Sequence, residues 1–130
     1  MGVKDMEKTS LSPSEWRVME VLWTRPRTLM ELVRELAQSA GWAKSTVTTM
    51  VRRMEEKGLV TYDQEGRTKV FRPAVAREDV VAAETESLLQ RAYHGSVGLL
   101  VNALAERESL SKADIEELYA VLRKAEEDTQ

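Results

Sequence analysis

Apolar residues return at helical spacing in six stretches of this chain. Trp16, Met19, Leu22 and Trp23 form the first stripe, and Leu29, Leu32, Val33 and Leu36 the second. Val47, Met50, Val51 and Met54 form the third, again spaced i, i+3, i+4, i+7. Between the stripes stand helix signals. Ser12-Pro13-Ser14-Glu15 reads as a capping box with proline in the first turn, Thr28 as a cap, and Ser39-Ala40-Gly41 as a stop. Gly58 closes the third helix, and two β-prone runs follow, Leu59 to Tyr62 and Thr68 to Phe71. Asp63-Gln64-Glu65-Gly66-Arg67 between them predicts a hairpin loop.

The third helix has an unusual wet face. Ser45, Thr48, Thr49 and Arg52 project roughly 160° from its apolar stripe at about 100° per residue. Short hydroxylated side chains let a helix approach a partner closely, and in a major groove they reach phosphates, base edges and thymine methyls. Arg67, Lys69 and Arg72 make the hairpin basic. A polar-faced helix followed by a basic hairpin is the winged helix-turn-helix pattern. Trp42, at the entrance to the third helix, reads as a packing anchor.

After Ala74 the character changes. Arg77 to Tyr93 predicts a long helix with a thin stripe, containing Val80, Val81, Leu88 and Leu89, that ends at His94-Gly95. Val97, Leu100, Val101 and Leu104 mark a fifth helix. Ser111 opens a sixth, carrying Ile115, Leu118, Tyr119 and Leu122. One stripe per helix over some 55 residues is little core for a free-standing domain. A second copy of the chain is the simplest cover. The expected organisation is a DNA-binding domain over residues 1–75 and a helical dimerisation domain over 76–130.

Charge supports this division. The net charge of −3 separates into 13 Lys/Arg against 10 Asp/Glu before residue 76, a net +3, and 6 against 12 after it, a net −6. There is no cysteine and a single histidine, His94, so disulfides, thiolate sites and His-based dyads within one chain are excluded. The adjacent pairs Glu55-Glu56 and Glu116-Glu117 point in different directions on a helix and read as solvated faces. No phosphate-binding loop, dinucleotide fingerprint or nucleophile elbow occurs. The chain reads as a non-enzyme without cofactor or metal. No apolar run is long enough to span a bilayer, and MGVKDMEKTS lacks the apolar core of a secretory signal, so a cytoplasmic protein without lipid partners is expected.

Several segments carry a family resemblance in order and spacing: LSPSEWRVMEVLW, GWAKSTVTTMVRRMEEKGLV, EGRTKVFRP, Tyr93-His94-Gly95-Ser96 and LSKADIEELYAVL. Over residues 11–125 the chain resembles the BlaI/MecI penicillinase and methicillinase repressors. The resemblance implies a bacterial winged-helix repressor that binds, as a homodimer, inverted-repeat operators containing TACA and TGTA. It also implies a membrane sensor-protease system as partner, with repressor cleavage at an Asn–Phe bond in the dimerisation region. Aligned from Gly95-Ser96, that bond falls at Ala103-Leu104, and the Asn-Phe pair is missing. The similar copper-responsive CopY branch adds a C-terminal cysteine cluster, which this chain lacks.

The expected fold is mainly α with a small β-hairpin: a winged helix-turn-helix domain plus a C-terminal helical dimerisation domain. Lys44, Ser45, Thr46, Thr48, Thr49, Arg52, Arg53, Arg67 and Lys69 are the expected DNA-binding residues. Val81, Leu88, Val97, Leu100, Val101, Leu104, Ile115, Leu118, Tyr119 and Leu122 are the expected dimerisation residues. Two other readings fit the same pattern: an effector-responsive winged-helix regulator of another family, and a protein-interaction module on a winged-helix scaffold.

Overall fold

The computed structural model describes residues 10–129. Its elements run α1 (Pro13–Thr24), β1 (Arg27–Thr28), α2 (Leu29–Ala40), α3 (Lys44–Glu56), β2 (Val60–Glu65), β3 (Thr68–Pro73), α4 (Arg77–Tyr93), α5 (Val97–Glu106) and α6 (Lys112–Asp128). The chain forms two compact units, the first reaching Glu86 and the second starting at Ser87. α4 contributes residues to both.

In the first unit, local signals set the helix ends. The Ser12 hydroxyl accepts from the Glu15 N–H at 3.2 Å, and Glu15 Oε1 accepts from the Ser12 N–H at 2.8 Å, the expected capping box. Thr28 and Glu31 build a second box at the start of α2. Gly41 ends α2 in the left-handed region at φ 70°. Each helix turns its stripe inward, and Val18, Met19, Leu22, Leu32, Leu36, Val47 and Met54 are fully buried together. Val18 was outside the expected α1 stripe. Trp16 and Trp23, expected in it, are half-buried and pack edge to face at 5.8 Å.

The sheet is larger than the predicted hairpin. Its order is β1-β3-β2, antiparallel throughout. β1 is a two-residue strand pairing Arg27 with Phe71 and Thr28 with Val70, where the sequence predicted only a helix break. It is held by buried Arg27, whose guanidinium donates to Glu35 Oε2 at 2.6 Å, Glu35 Oε1 at 3.0 Å and Thr24 Oγ1 at 3.2 Å. A charge at 6% exposure persists because its donors are met.

The wing corrects the predicted five-residue loop. Asp63, Gln64 and Glu65 are strand residues, paired with Val70, Lys69 and Thr68. The turn is Gly66-Arg67 alone. Gly66 has φ 62° and Arg67 has no positive φ, the pattern of a two-residue turn with glycine first. Polar composition suggested a loop, but both faces of this part of the hairpin are exposed, so polar residues cost the strand little.

The start of α4 belongs to the first unit rather than to the helical one expected from residue 76. Val80 is fully buried in the winged-helix core. The Trp23 indole N–H donates to the Val75 carbonyl at 3.0 Å, and Arg77 donates to Glu20 at 2.8 Å.

In the second unit, His94 and Gly95 end α4 with φ 51° and 80°. Ser96 caps α5, and Ser111 caps α6 through a box with Asp114. Neither α5 nor α6 has a buried residue. Val97 and Tyr119 are each 58% exposed and Leu122 53%.

Candidate nucleic-acid interface

Elements of the first unit converge on one groove. It has a volume of about 600 Å³ and lies between the start of α2, one face of α3 and the hairpin. Thr48 and Arg52 come from α3, and Arg67, Thr68 and Lys69 from the wing. Leu29, Met30, Val51 and Phe71 supply apolar surface, with Thr28 and Glu55 completing the lining.

Four of the sequence-predicted residues are therefore brought together: Thr48, Arg52, Arg67 and Lys69. Lys44, Ser45, Thr46 and Arg53 are exposed on α3 outside the groove, and Thr49 is half-buried there. The phase of α3 explains this arrangement. Burying Val47, Val51 and Met54 leaves Ser45, Thr48 and Arg52 on the exposed side.

The cations of this surface are uncommitted. Among the described residues, Lys44, Arg52, Arg53, Arg67 and Lys69 form no ion pair. The Lys69 ammonium lies 4.3 Å from the Tyr62 ring centroid, a cation–π contact that leaves its charge unneutralised. Arg72, the third basic residue of the hairpin, is instead tied to Asp63 at 3.0 Å.

The entrance of α3 adds donors. Ala43 occupies the N-cap and offers no side-chain bond to the first turn. The first-turn amides of Lys44 and Ser45 therefore have no side-chain cap and point along the start of the helix, an arrangement that suits an anion. The Thr48 hydroxyl donates to the Lys44 carbonyl at 2.9 Å. With its proton so used, Thr48 retains acceptor capacity and a methyl group for a partner.

Among the groove residues outside the expected DNA-binding set, two stand out. Met30 is 52% exposed, unusual for a large apolar side chain, and its place between Leu29 and Leu32 of the α2 stripe gave no hint of an exposed role. Glu55, read as part of a solvated acidic pair, lines the groove. Its spacing from Thr48 and Arg52, i+7 and i+3, was the available signal.

The expected dimerisation residues fall in the second unit, except Val81, which is exposed at the first unit's end. Leu100, Val101 and Leu118 are half-buried. Ala103 and Leu104 lie inside α5, the former half-buried and the latter exposed. Among the described residues, no group of His, Cys, Asp and Glu could hold a metal ion, and no helix is long and apolar enough to cross a membrane.

The family model described as Penicillinase repressor matches residues 11–124. The penicillinase repressor of Bacillus licheniformis is 32% identical over 113 residues, spanning 86% of this chain and 88% of that one. The methicillin resistance regulatory protein MecI of Staphylococcus aureus is 25% identical over 121 residues, 92% of this chain and 98% of its own. A solution structure of monomeric B. licheniformis BlaI in complex with the blaP half-operator is 30% identical over 54% of this chain and 87% of that chain, with a TM-score of 0.48. With the family match extending from Leu11 to Lys124, through the winged helix and the helices beyond it, this chain belongs to the penicillinase repressor family, a family of DNA-binding transcriptional repressors and not of enzymes.

Proposed function

We propose that this chain represses transcription as a homodimer bound to an inverted-repeat operator, with α3 in the major groove. The observation that carries the reading is the convergence of Thr48 and Arg52 of α3 with Arg67 and Lys69 of the wing on one groove. Ser45, Thr46, Thr48 and Thr49 contact base edges and phosphates from the N-terminal half of α3. Lys44, Arg52 and Arg53 anchor phosphates, and Arg67 and Lys69 carry the wing to the adjacent backbone or minor groove. A helix in the major groove and a wing tip reaching the neighbouring minor groove must have a phosphodiester ridge between them. The α3–wing groove is the seat for that ridge, with cations on both of its walls.

Residues of the second unit pair two chains. α5 and α6 expose Val97, Leu104, Ile115, Tyr119 and Leu122, and self-association is the simplest way to cover them. A two-fold pair presents two α3 helices to half-sites about 34–36 Å apart. Induction is proposed to act on this pairing, through a membrane sensor-protease system and cleavage near Ala103-Leu104. That bond is helical, and Asn102 bonds Glu106 across the same turns at 3.2 Å, so α5 must open locally before a protease can engage it.

The test is selection of duplexes from a random-sequence library by the full-length chain, followed by binding at several salt concentrations. Enrichment of an inverted repeat with a steep salt dependence is expected. A library left unenriched at low salt would sink the reading.

A further inference from the structure

Glu55 stands where a DNA-binding surface should exclude a carboxylate. It continues the Ser45, Thr48, Arg52 face of α3 and lines the groove together with Arg52, Arg67 and Lys69. It is exposed and forms no ion pair among the described residues, although Arg52 is three positions away on the same helix. It also sits in the last turn of α3, where the carbonyl ends of the helix disfavour negative charge. Neither helix stability nor an internal ion pair accounts for an acid at this position.

We infer that Glu55 is a specificity-determining residue of the duplex interface: it accepts a hydrogen bond from an exocyclic amine of the cognate sequence and repels phosphate in every other register. The inference rests on the reading of the groove as the seat of the phosphodiester ridge. An ionised carboxylate is acceptor-only. In the major groove its available partners are the amino groups of cytosine N4 and adenine N6. Where such an amine meets Glu55, the charge is satisfied at the edge of the base pair. Where it does not, the carboxylate opposes the cations that hold the ridge. Discrimination then comes from a penalty on wrong sequences as well as a gain on the right one.

The test uses the full-length wild type, Glu55→Gln and Glu55→Ala. Each is measured against a duplex that the wild type selects from a random library and against a scrambled duplex of the same length. Removing one opposing charge is equivalent to one more net phosphate contact, so affinity for the scrambled duplex should rise about fivefold near 0.15 M salt. The preference for the selected duplex should fall about tenfold or more. A base-pair scan of that duplex should reveal one cytosine or adenine whose preference both variants lose. Thermal melting should not fall, since the side chain is exposed and the last turn of α3 disfavours its charge. An unchanged preference ratio and base scan would overturn the role of Glu55 while leaving the groove a DNA site. Failure of the wild type to select any duplex would overturn the underlying reading, and this inference with it.

Discussion

The Lys57 ammonium, just past the end of α3, lies 2.8 Å from Oε2 and 3.0 Å from Oε1 of Glu15, a carboxylate buried in the first turn of α1. The same carboxylate closes the α1 capping box through Ser12. One side chain thus starts α1 and fixes the far end of α3 against it. Glu15→Ala removes both functions and should cost about 1–2 kcal/mol of stability, mostly from the lost cap and buried hydrogen bonds. Lys57 is 44% exposed at its side chain, so its share is discounted for solvent screening. Chemical denaturation of the two single variants should rank Glu15→Ala as the more destabilised. A larger loss from Lys57→Ala would move the burden to the ion pair.

The same group gives stability a pH dependence. Burial pulls the Glu15 carboxyl upward, but the Lys57 hydrogen bond, the Ser12 amide, the Lys57 charge and the Ser12 hydroxyl together hold it below its ordinary value of 4.5. A carboxylate depressed on folding contributes stability that is present above its unfolded value and lost as pH falls through its folded one. Glu35 and Asp114 are shifted in the same direction, by Arg27 and by the Ser111 cap. The melting temperature should therefore fall as the pH drops below about 4.5. Glu15→Gln should flatten part of that slope. A slope in Glu15→Gln identical to wild type would assign acid loss to the other carboxylates.

Much of this architecture was legible because its signals are local. Ser12-Pro13-Ser14-Glu15, Thr28 and Ser111 announce caps from composition alone, and the stripes of α2 and α3 fix which faces pack. What escaped is set by distant pairing. Arg27-Thr28 becomes a strand only because Phe71 and Val70 lie beside it. Asp63-Gln64-Glu65 look like loop residues but complete the wing by pairing with β3. Val80 seemed to belong to a thin stripe awaiting another chain, yet it fills the winged-helix core. In the site, the α3 face was readable from helical phase. Met30 and Glu55 became visible only when the wing was folded against α3 and closed the groove.

Within the α3 face, hydroxyls and cations should fail differently. The Thr48→Ala, Thr49→Ala double variant should lose about 1–3 kcal/mol on the selected operator for each base contact removed, with relaxed preference at the contacted positions. Arg52→Ala and Arg67→Ala should weaken all sequences alike, each reducing the salt slope by roughly 1. Because Thr48 already donates to Lys44, Thr48→Val, which keeps the methyl, isolates its acceptor role. Wild-type affinity and selectivity in the double variant would remove these threonines from the interface.

Gly66 is a conformational requirement rather than a steric one. Its φ of 62° is left-handed, and a Cβ placed there would meet nothing within 4 Å. Gly66→Ala should therefore cost only the backbone penalty, about 1 kcal/mol, and Gly66→Asn less, because asparagine tolerates that region. Operator affinity should follow the same order if a well-formed wing is needed to place Arg67. Equal stability of all three proteins would mean that the turn adopts another conformation without glycine.

The last prediction concerns what covers α5 and α6. Their capping is complete, with Ser96 and Ser111 each bonded to the following turn, yet neither helix buries a single residue. Exposed Val97, Leu104, Ile115, Tyr119 and Leu122 leave these helices an apolar surface that a partner would cover. A second copy brings the same stripes and requires about 1,000 Å² or more of shared surface. The decisive truncation ends at Glu86, not at residue 75, because Val80 and Arg77 pack with the winged helix and must be kept. The truncated chain should fold, remain monomeric, and bind a half-site while losing about 10²–10⁴ in affinity for the full inverted repeat, as effective concentration is lost. Leu104→Glu in the full chain should shift the mass toward monomer with the same affinity pattern. A cut at Ala103-Leu104 would act like the truncation, which explains how an event remote from α3 could release an operator. Analytical ultracentrifugation beside operator titration decides the matter: a monomeric full-length chain, or a truncated one that holds the whole repeat equally well, would end the pairing hypothesis.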